Sequence, residues 1–191
     1  MTRKQIIEIQ KEIGVDADGF WGEKSTAACK KFLHQLMNDS LGFPHVPAQD
    51  QKSLTAAYGA AGDESQLVNL DVSGLGVKYD GATVKTVRVN KACAESLKSI
   101  IKELATFSEG QAALAEYAGV FNNRSMRGGS LPSMHARGAA IDLMPSTNRN
   151  KQHWPSSGNM PFSVMKTFAR HGWLAAGAFW SRDAMHFQRT R

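Results

Sequence analysis

His135 and Asp142 stand seven residues apart in the stretch SLPSMHARGAAIDL, residues 130–143, surrounded by small or flexible side chains. An imidazole and a carboxylate at that spacing are either a chance polar pair or part of a metal site. A catalytic zinc needs three protein ligands and one open position for water. The best third candidate is His186, in the short β-like run SRDAMHFQ, where a rigid backbone can aim one side chain inward. Two neutral imidazoles and one carboxylate leave Zn2+ with about +1 net charge, which helps bring a water's pKa down to ~7. Asp183, three residues before His186, is placed to take a proton from the attacking water without binding the metal. A single histidine near an aspartate is more often a surface hydrogen bond, and Asp183 alone reads equally as a turn residue. The co-occurrence of the four is what favours a metal site.

The elements needed to hold these groups are legible nearby. If AAIDL is a strand, Ala140 and Asp142 face the same side, and alanine leaves room beside the carboxylate. Gly138 permits the turn between the two ligands, and Ser133 and His135 form a further i, i+2 pair on the approach. The segment VKYDGATVKTVRVN alternates around Asp80-Gly81, a hairpin signal. Asn90 is predicted to cap a helix whose face is Ala94, Leu97, Ile101 and Leu104, and SEGQ, Ser108 to Gln111, to open another as a capping box. Strand-like pieces follow at AGVF, AAIDLM and MHFQ. Between the last two lies a helix, PFSVMKTFARHGW, with Pro161 at its start and Gly172 past its end.

The first sixty residues read differently. Thr2 can cap a helix with Ile6, Ile9 and Ile13 on one face, ended by Gly14. A second helix runs to about Met37 with the stripe Cys29, Phe32, Leu33 and Leu36, and a third falls in AQDQKSLTAAYG. The expected organisation is a three-helix module at 1–60, a linker at 61–66 (within the small, polar YGAAGDESQ), and an α+β domain with a central antiparallel sheet at 67–191.

Composition bounds the partners. The 191 residues carry a net charge of +6, with 7 Lys+Arg against 9 Asp+Glu in residues 1–65 and 16 against 8 in residues 66–191. A basic second half suits an anionic partner such as nucleic acid, a membrane surface or a cell wall. There is no array of base-stacking aromatics among the basic residues, which argues against a nucleic-acid binder. No apolar run approaches the length needed to cross a bilayer. The amphipathic start MTRKQIIEIQKEIG lacks the apolar core of a secretory signal, so the expectation is a cytoplasmic protein until something else releases it. Cys29 and Cys93 lie on helical stripes and read as core residues. His34, His45 and His153 read as exposed or loop residues, and His171 as suited to a helix C-terminus.

SMHARGAAID fits the pattern S-x-H-x-x-G-x-A-x-D at Ser133, His135, Gly138, Ala140 and Asp142. With DAMH downstream, residues 67–191 resemble the zinc D-alanyl-D-alanine carboxypeptidases and L-alanyl-D-glutamate endopeptidases that cut peptidoglycan stem peptides, with phage endolysin versions nearest. The resemblance implies zinc on His135, Asp142 and His186, and Asp183 as general base in place of the glutamate of many members. It also implies an upstream arginine holding the substrate carbonyl. FNNRSMRGG offers Arg124 and Arg127; Arg124 is favoured by its place after a strand, leaving Arg127 and Ser133 as substrate-binding residues. IQKEIGVDADGFWGEKSTAACKKF resembles a small three-helix peptidoglycan-binding domain in its Gln10, Asp18-Gly19, Gly22 and Thr26. Trp21 then offers a face to a sugar or peptide, or else packs on the loop. The implied protein is a monomeric, phage-type endolysin that acts on the stem peptides of peptidoglycan at the L-Ala–D-Glu bond and is drawn to an anionic envelope by its basic half. The rival readings are D-Ala-D-Ala trimming and a non-catalytic wall-binding or virion protein with a structural zinc.

Overall fold

A computed structural model describes residues 1–39 and 46–191; the reading of His45 as a loop residue lies outside them. Helix α1 (Arg3–Glu12) opens on a reciprocal cap. The Thr2 hydroxyl accepts from the Gln5 N–H, while the Gln5 side chain accepts from the Thr2 N–H. Helix α2 (Glu23–Asn38) buries Cys29, Leu33 and Met37. Helix α3 (Gln51–Tyr58) is capped by Asp50, whose carboxylate accepts from the Ser53 N–H at 2.9 Å. Both cysteines are core residues, and burial pushes their thiols up to about 12.

After a 3-10 turn at Glu64–Gln66 come β1 (Leu67–Asp71), the hairpin strands β2 (Lys78–Tyr79) and β3 (Ala82–Thr83), and β4 (Thr86–Asn90). Strands β1 and β4 pair antiparallel. At the hairpin turn Asp80 and Gly81 take φ +47° and +80°, the left-handed pair that a two-residue loop of this twist requires. Helix α4 (Ala94–Leu104) follows with Leu97, Ile100, Ile101 and Leu104 buried.

The structure departs from two local expectations. Asn90 does not cap α4. It ends β4, where its side chain is buried, donating to the carbonyls of Tyr58 (2.9 Å) and Arg137 (3.0 Å) and accepting from the Ala92 N–H. Its two long-range bonds turn the side chain into the core and away from the first turn of α4, whose N-cap is Cys93. Nor does SEGQ form a capping box. Helix α5 (Ser108–Ala115) takes Phe107 at its N-cap without a side-chain cap, and Gln111 donates instead to the Ala105 carbonyl. The reason is packing: α5 lies so close on the end of α4 that a Cβ on Gly110 would sit 2.2 Å from the Leu104 carbonyl oxygen.

The remaining elements are β5 (Tyr117–Gly119), β6 (Ala140–Leu143), α6 (Phe162–Arg170), β7 (Leu174–Ala175), α7 (Ala176–Trp180) and β8 (His186–Gln188). The strands form a four-stranded antiparallel sheet in the order β5-β6-β8-β7, so the fold is α+β with an antiparallel sheet at its centre. Alternation gives that sheet two characters. Ile141, Leu143 and Phe187 share one face, and Phe187 stacks on Phe168 of α6 at 3.8 Å. Asp142, His186 and Gln188 share the other.

A continuous apolar core runs from Ile9, Leu33 and Leu54 through Leu97 to Phe168 and Phe187. The N-terminal helices join it through Phe32 against Phe162 and through Trp21, edge-on to Trp154 at 5.0 Å. Polar contacts add to this: Lys166 pairs with Glu12, and the Tyr58 hydroxyl donates to the Arg189 carbonyl at 2.6 Å.

Candidate metal centre and cleft

Asp142 and His186 are direct partners across the β6–β8 ladder. Such partners hold their Cβ atoms ~4.5–5.5 Å apart on one face, so pairing alone brings the carboxylate and the imidazole together. His135 arrives from a different direction, on a 3-10 turn at Met134–Arg137. Ser133 starts that turn, its hydroxyl accepting from the His135 N–H at 3.3 Å. Gly138 ends it in the left-handed conformation, φ +65°. A Cβ there would lie 2.8 Å from the Asn90 backbone nitrogen and 2.6 Å from the Leu67 side chain, so only glycine fits.

The three donor atoms form a nearly equilateral triangle. His135 Nε2 is 3.2 Å from Asp142 Oδ1 and 3.1 Å from His186 Nδ1, and His186 Nδ1 is 3.0 Å from Asp142 Oδ1. Bonds of about 2.0–2.1 Å in a tetrahedron place ligand atoms ~3.3 Å apart, close to the spacing found. The outer nitrogens settle the tautomers. His135 Nδ1 lies 2.7 Å from the Val120 carbonyl, which can only accept, so that nitrogen carries the proton. His186 Nε2 lies 3.0 Å from Gln188 Oε1, whose amide NH2 in turn donates to Thr190. Both inner nitrogens therefore present lone pairs towards each other and towards a carboxylate. Three acceptors at that spacing repel unless a cation sits between them, and outer hydrogen bonds of this kind are how metal-binding histidines are oriented. The residues fit a Zn2+ ion.

Charge within the cluster follows the same geometry. Burial works to raise the Asp142 pKa; with protons rather than an ion at the inner nitrogens, hydrogen bonding from His135 and His186 outweighs it and holds the carboxyl well below its usual range. For His186, burial works downward and the Asp142 carboxylate more than reverses it, so its pKa is raised.

A cleft of about 300 Å³ opens onto this cluster, lined by Asp142 and His186 together with Ser133, Arg124, Arg127 and Asp183. Asp183 is held at φ +57°, a left-handed conformation uncommon outside glycine and concentrated at functional sites. Its carbonyl accepts from the His186 N–H at 2.9 Å. Its Oδ1 is buried and has no hydrogen-bond partner among the described residues. Burial pushes its pKa up, reinforced by the Asp142 charge, while His186, Arg127 and His135 pull the other way without cancelling the rise. A buried carboxylate oxygen with an unused lone pair and a raised pKa is suited to accept a proton.

The fold thus gathers Arg124, Arg127, Ser133, Asp142, Asp183 and His186 on one cleft, with His135 behind them. Arg124 is half-buried and donates to the Ser125 carbonyl, whereas Arg127 is exposed beside Gly128 and Gly129. Trp21 does not reach the cleft; it packs on Trp154. His171, at the C-terminal cap of α6, pairs with Glu103. Sequence reasoning passed over Gln188 and Trp180. Gln188 had a signal, the i, i+2 spacing that puts it on the face of His186. Trp180, 37% exposed, stacks its ring on His186; no spacing rule pointed there.

The sequence model of a family described as D-alanyl-D-alanine carboxypeptidase matches residues 127–189, about a third of the chain. The matched segment holds Arg127, Ser133, His135, Asp142, Asp183 and His186; Arg124 and Trp21 fall outside it. No curated protein and no solved structure matches the chain.

Proposed function

We propose that the chain is a zinc-dependent peptidase that hydrolyses the stem peptides of peptidoglycan, as a phage-type endolysin cutting the L-Ala–D-Glu bond. The observation that carries the reading is the convergence of His135 Nε2, His186 Nδ1 and Asp142 Oδ1 at 3.0–3.2 Å, with both outer imidazole nitrogens already engaged. The match of residues 127–189 to a D-alanyl-D-alanine carboxypeptidase family supports it.

His135, Asp142 and His186 would hold Zn2+, which supplies, when bound, Lewis acidity towards the scissile carbonyl and a water of lowered pKa. Asp183 accepts the proton of the attacking water on its free Oδ1 and returns it to the leaving amine. Arg124, steadied in the cleft wall, balances charge developing on the carbonyl oxygen. Arg127, on the exposed loop, pairs with a substrate carboxylate and Ser133 lines the approach. The N-terminal helices supply wall affinity, which raises local substrate concentration. The enzyme works as a monomer, its basic half favouring an anionic envelope, after release from the host cytoplasm.

A second reading is favoured by the matched family's own description: removal of the terminal D-alanine rather than cleavage within the stem. Digestion of purified peptidoglycan, with and without chelator and with zinc restored, separates the two by mass spectrometry. Zinc-dependent loss of whole stem peptides is the expected result. Release of single D-alanines would move the activity to carboxypeptidase, and no cleavage under any condition would overturn the peptidase.

A further inference from the structure

Gln49, Gln51 and Leu54 line the same cleft as Asp142, Asp183 and His186, although they belong to the N-terminal segment. Helix α3 is fixed to both stretches of chain that carry the imidazoles. Arg137, two residues past His135 and itself buried, donates to Gln51 Oε1 at 3.0 Å at one end of α3 and to the Gly59 carbonyl just past the other. Tyr58 bonds to the Arg189 carbonyl, three residues past His186. The Arg191 N–H reaches the Pro47 carbonyl at 3.1 Å. These contacts hold one wall of the cleft in register with the metal ligands.

The chemistry of that wall follows from the Arg137 contact. With its oxygen taken by a buried guanidinium, Gln51 has its NH2 as the group a ligand can use. An amide NH2 oriented in this way suits a neutral acceptor, such as a peptide carbonyl. Arg124 and Arg127, which line the same cleft, suit anionic oxygens instead. We propose that Gln51 is a substrate-binding residue, its side-chain NH2 donating to a backbone carbonyl of the stem peptide, so that the N-terminal helices form part of the specificity pocket. The inference rests on the stem-peptide reading given above.

Gln51→Glu separates this role from a merely structural one. A glutamate keeps the contact with Arg137, whose guanidinium offsets its charge, and so keeps α3 in place; it replaces the NH2 donor with an acceptor oxygen. The full-length zinc-loaded chain and the variant would be compared on a soluble stem peptide, following kcat, KM, calorimetric peptide affinity, zinc content and Tm. The expected result is KM and Kd raised about 5- to 10-fold, kcat changed less than about twofold, and zinc content and Tm retained. Gln51→Ala, which loses both contacts, should lower Tm as well. Wild-type KM and affinity in Gln51→Glu would overturn the proposal. If the wild-type chain binds the peptide without cutting it, the reaction is wrong and the ratio of dissociation constants still decides the role of Gln51. If it neither binds nor cuts, both fall.

Discussion

Asp183 concentrates several unusual properties in one side chain: a left-handed backbone, a buried carboxylate oxygen without a partner among the described residues, and a pKa raised chiefly by burial. None of these is needed to hold the metal. Asp183→Ala is therefore expected to keep its zinc while losing about 10²–10⁴-fold in cleavage rate. Metal analysis and timed peptidoglycan digestion read the two effects separately, and unimpaired cleavage would remove Asp183 from the chemistry. Gln188 makes the complementary prediction. Its amide oxygen fixes the proton on His186 Nε2, so Gln188→Ala should weaken zinc about 10- to 100-fold, measured by competition with a chromophoric chelator; unchanged affinity would mean that Gln188 does not orient the ligand. The cluster was legible because its spacing is one-dimensional: Gly138 marks a turn, and the alternation of AAIDL and MHFQ marks two strands. What orients His135 was not legible, because a backbone carbonyl such as Val120's carries no signature in residue type.

At the scale of elements, the site depends on a short turn being held against a sheet. Gly138 is the hinge point, with its left-handed φ and no room for a methyl group beside the Asn90 nitrogen. Gly138→Ala should cost at least about 1 kcal/mol from the backbone conformation alone, and the close approach adds to it. The displaced turn carries His135, so zinc affinity should fall together with the urea midpoint. A variant with wild-type stability would show that the turn relaxes freely. The same junction explains why Asn90 escaped prediction: its position before a helix suggested a cap, but its partners, the carbonyls of Tyr58 and Arg137, are 32 and 47 residues away. SEGQ failed for a related reason, since the approach of α5 to α4 through Gly110 overrode a local capping signal. The Asp80-Gly81 hairpin and the Leu97, Ile101 and Leu104 face of α4 form as local patterns predict, because the packing around them agrees with those patterns.

At the scale of the whole molecule, sheet and helices are held together beneath the site as well as at it. Glu103, on α4, accepts from Thr167 at 3.0 Å and from Arg170, and pairs with His171 at 2.9 Å, tying α4 to α6 and its C-terminal cap. Burial works to raise its pKa, but the hydrogen bonds from Arg170 and His171 prevail and hold it below the usual 4.5. A carboxylate whose folded pKa is depressed stabilises the fold above its unfolded value, and that contribution is lost as pH falls through the folded value. Glu103→Gln removes the charge at every pH. It should therefore lower Tm at neutral pH, and its deficit should shrink as pH falls through the folded value, below which wild-type Glu103 is protonated and neutral in its turn. Thermal melts of both chains across that range check the sign. A deficit that stayed constant with pH would mean that Glu103 contributes through packing and neutral hydrogen bonds, and that its ionisation does not help hold α4 to α6.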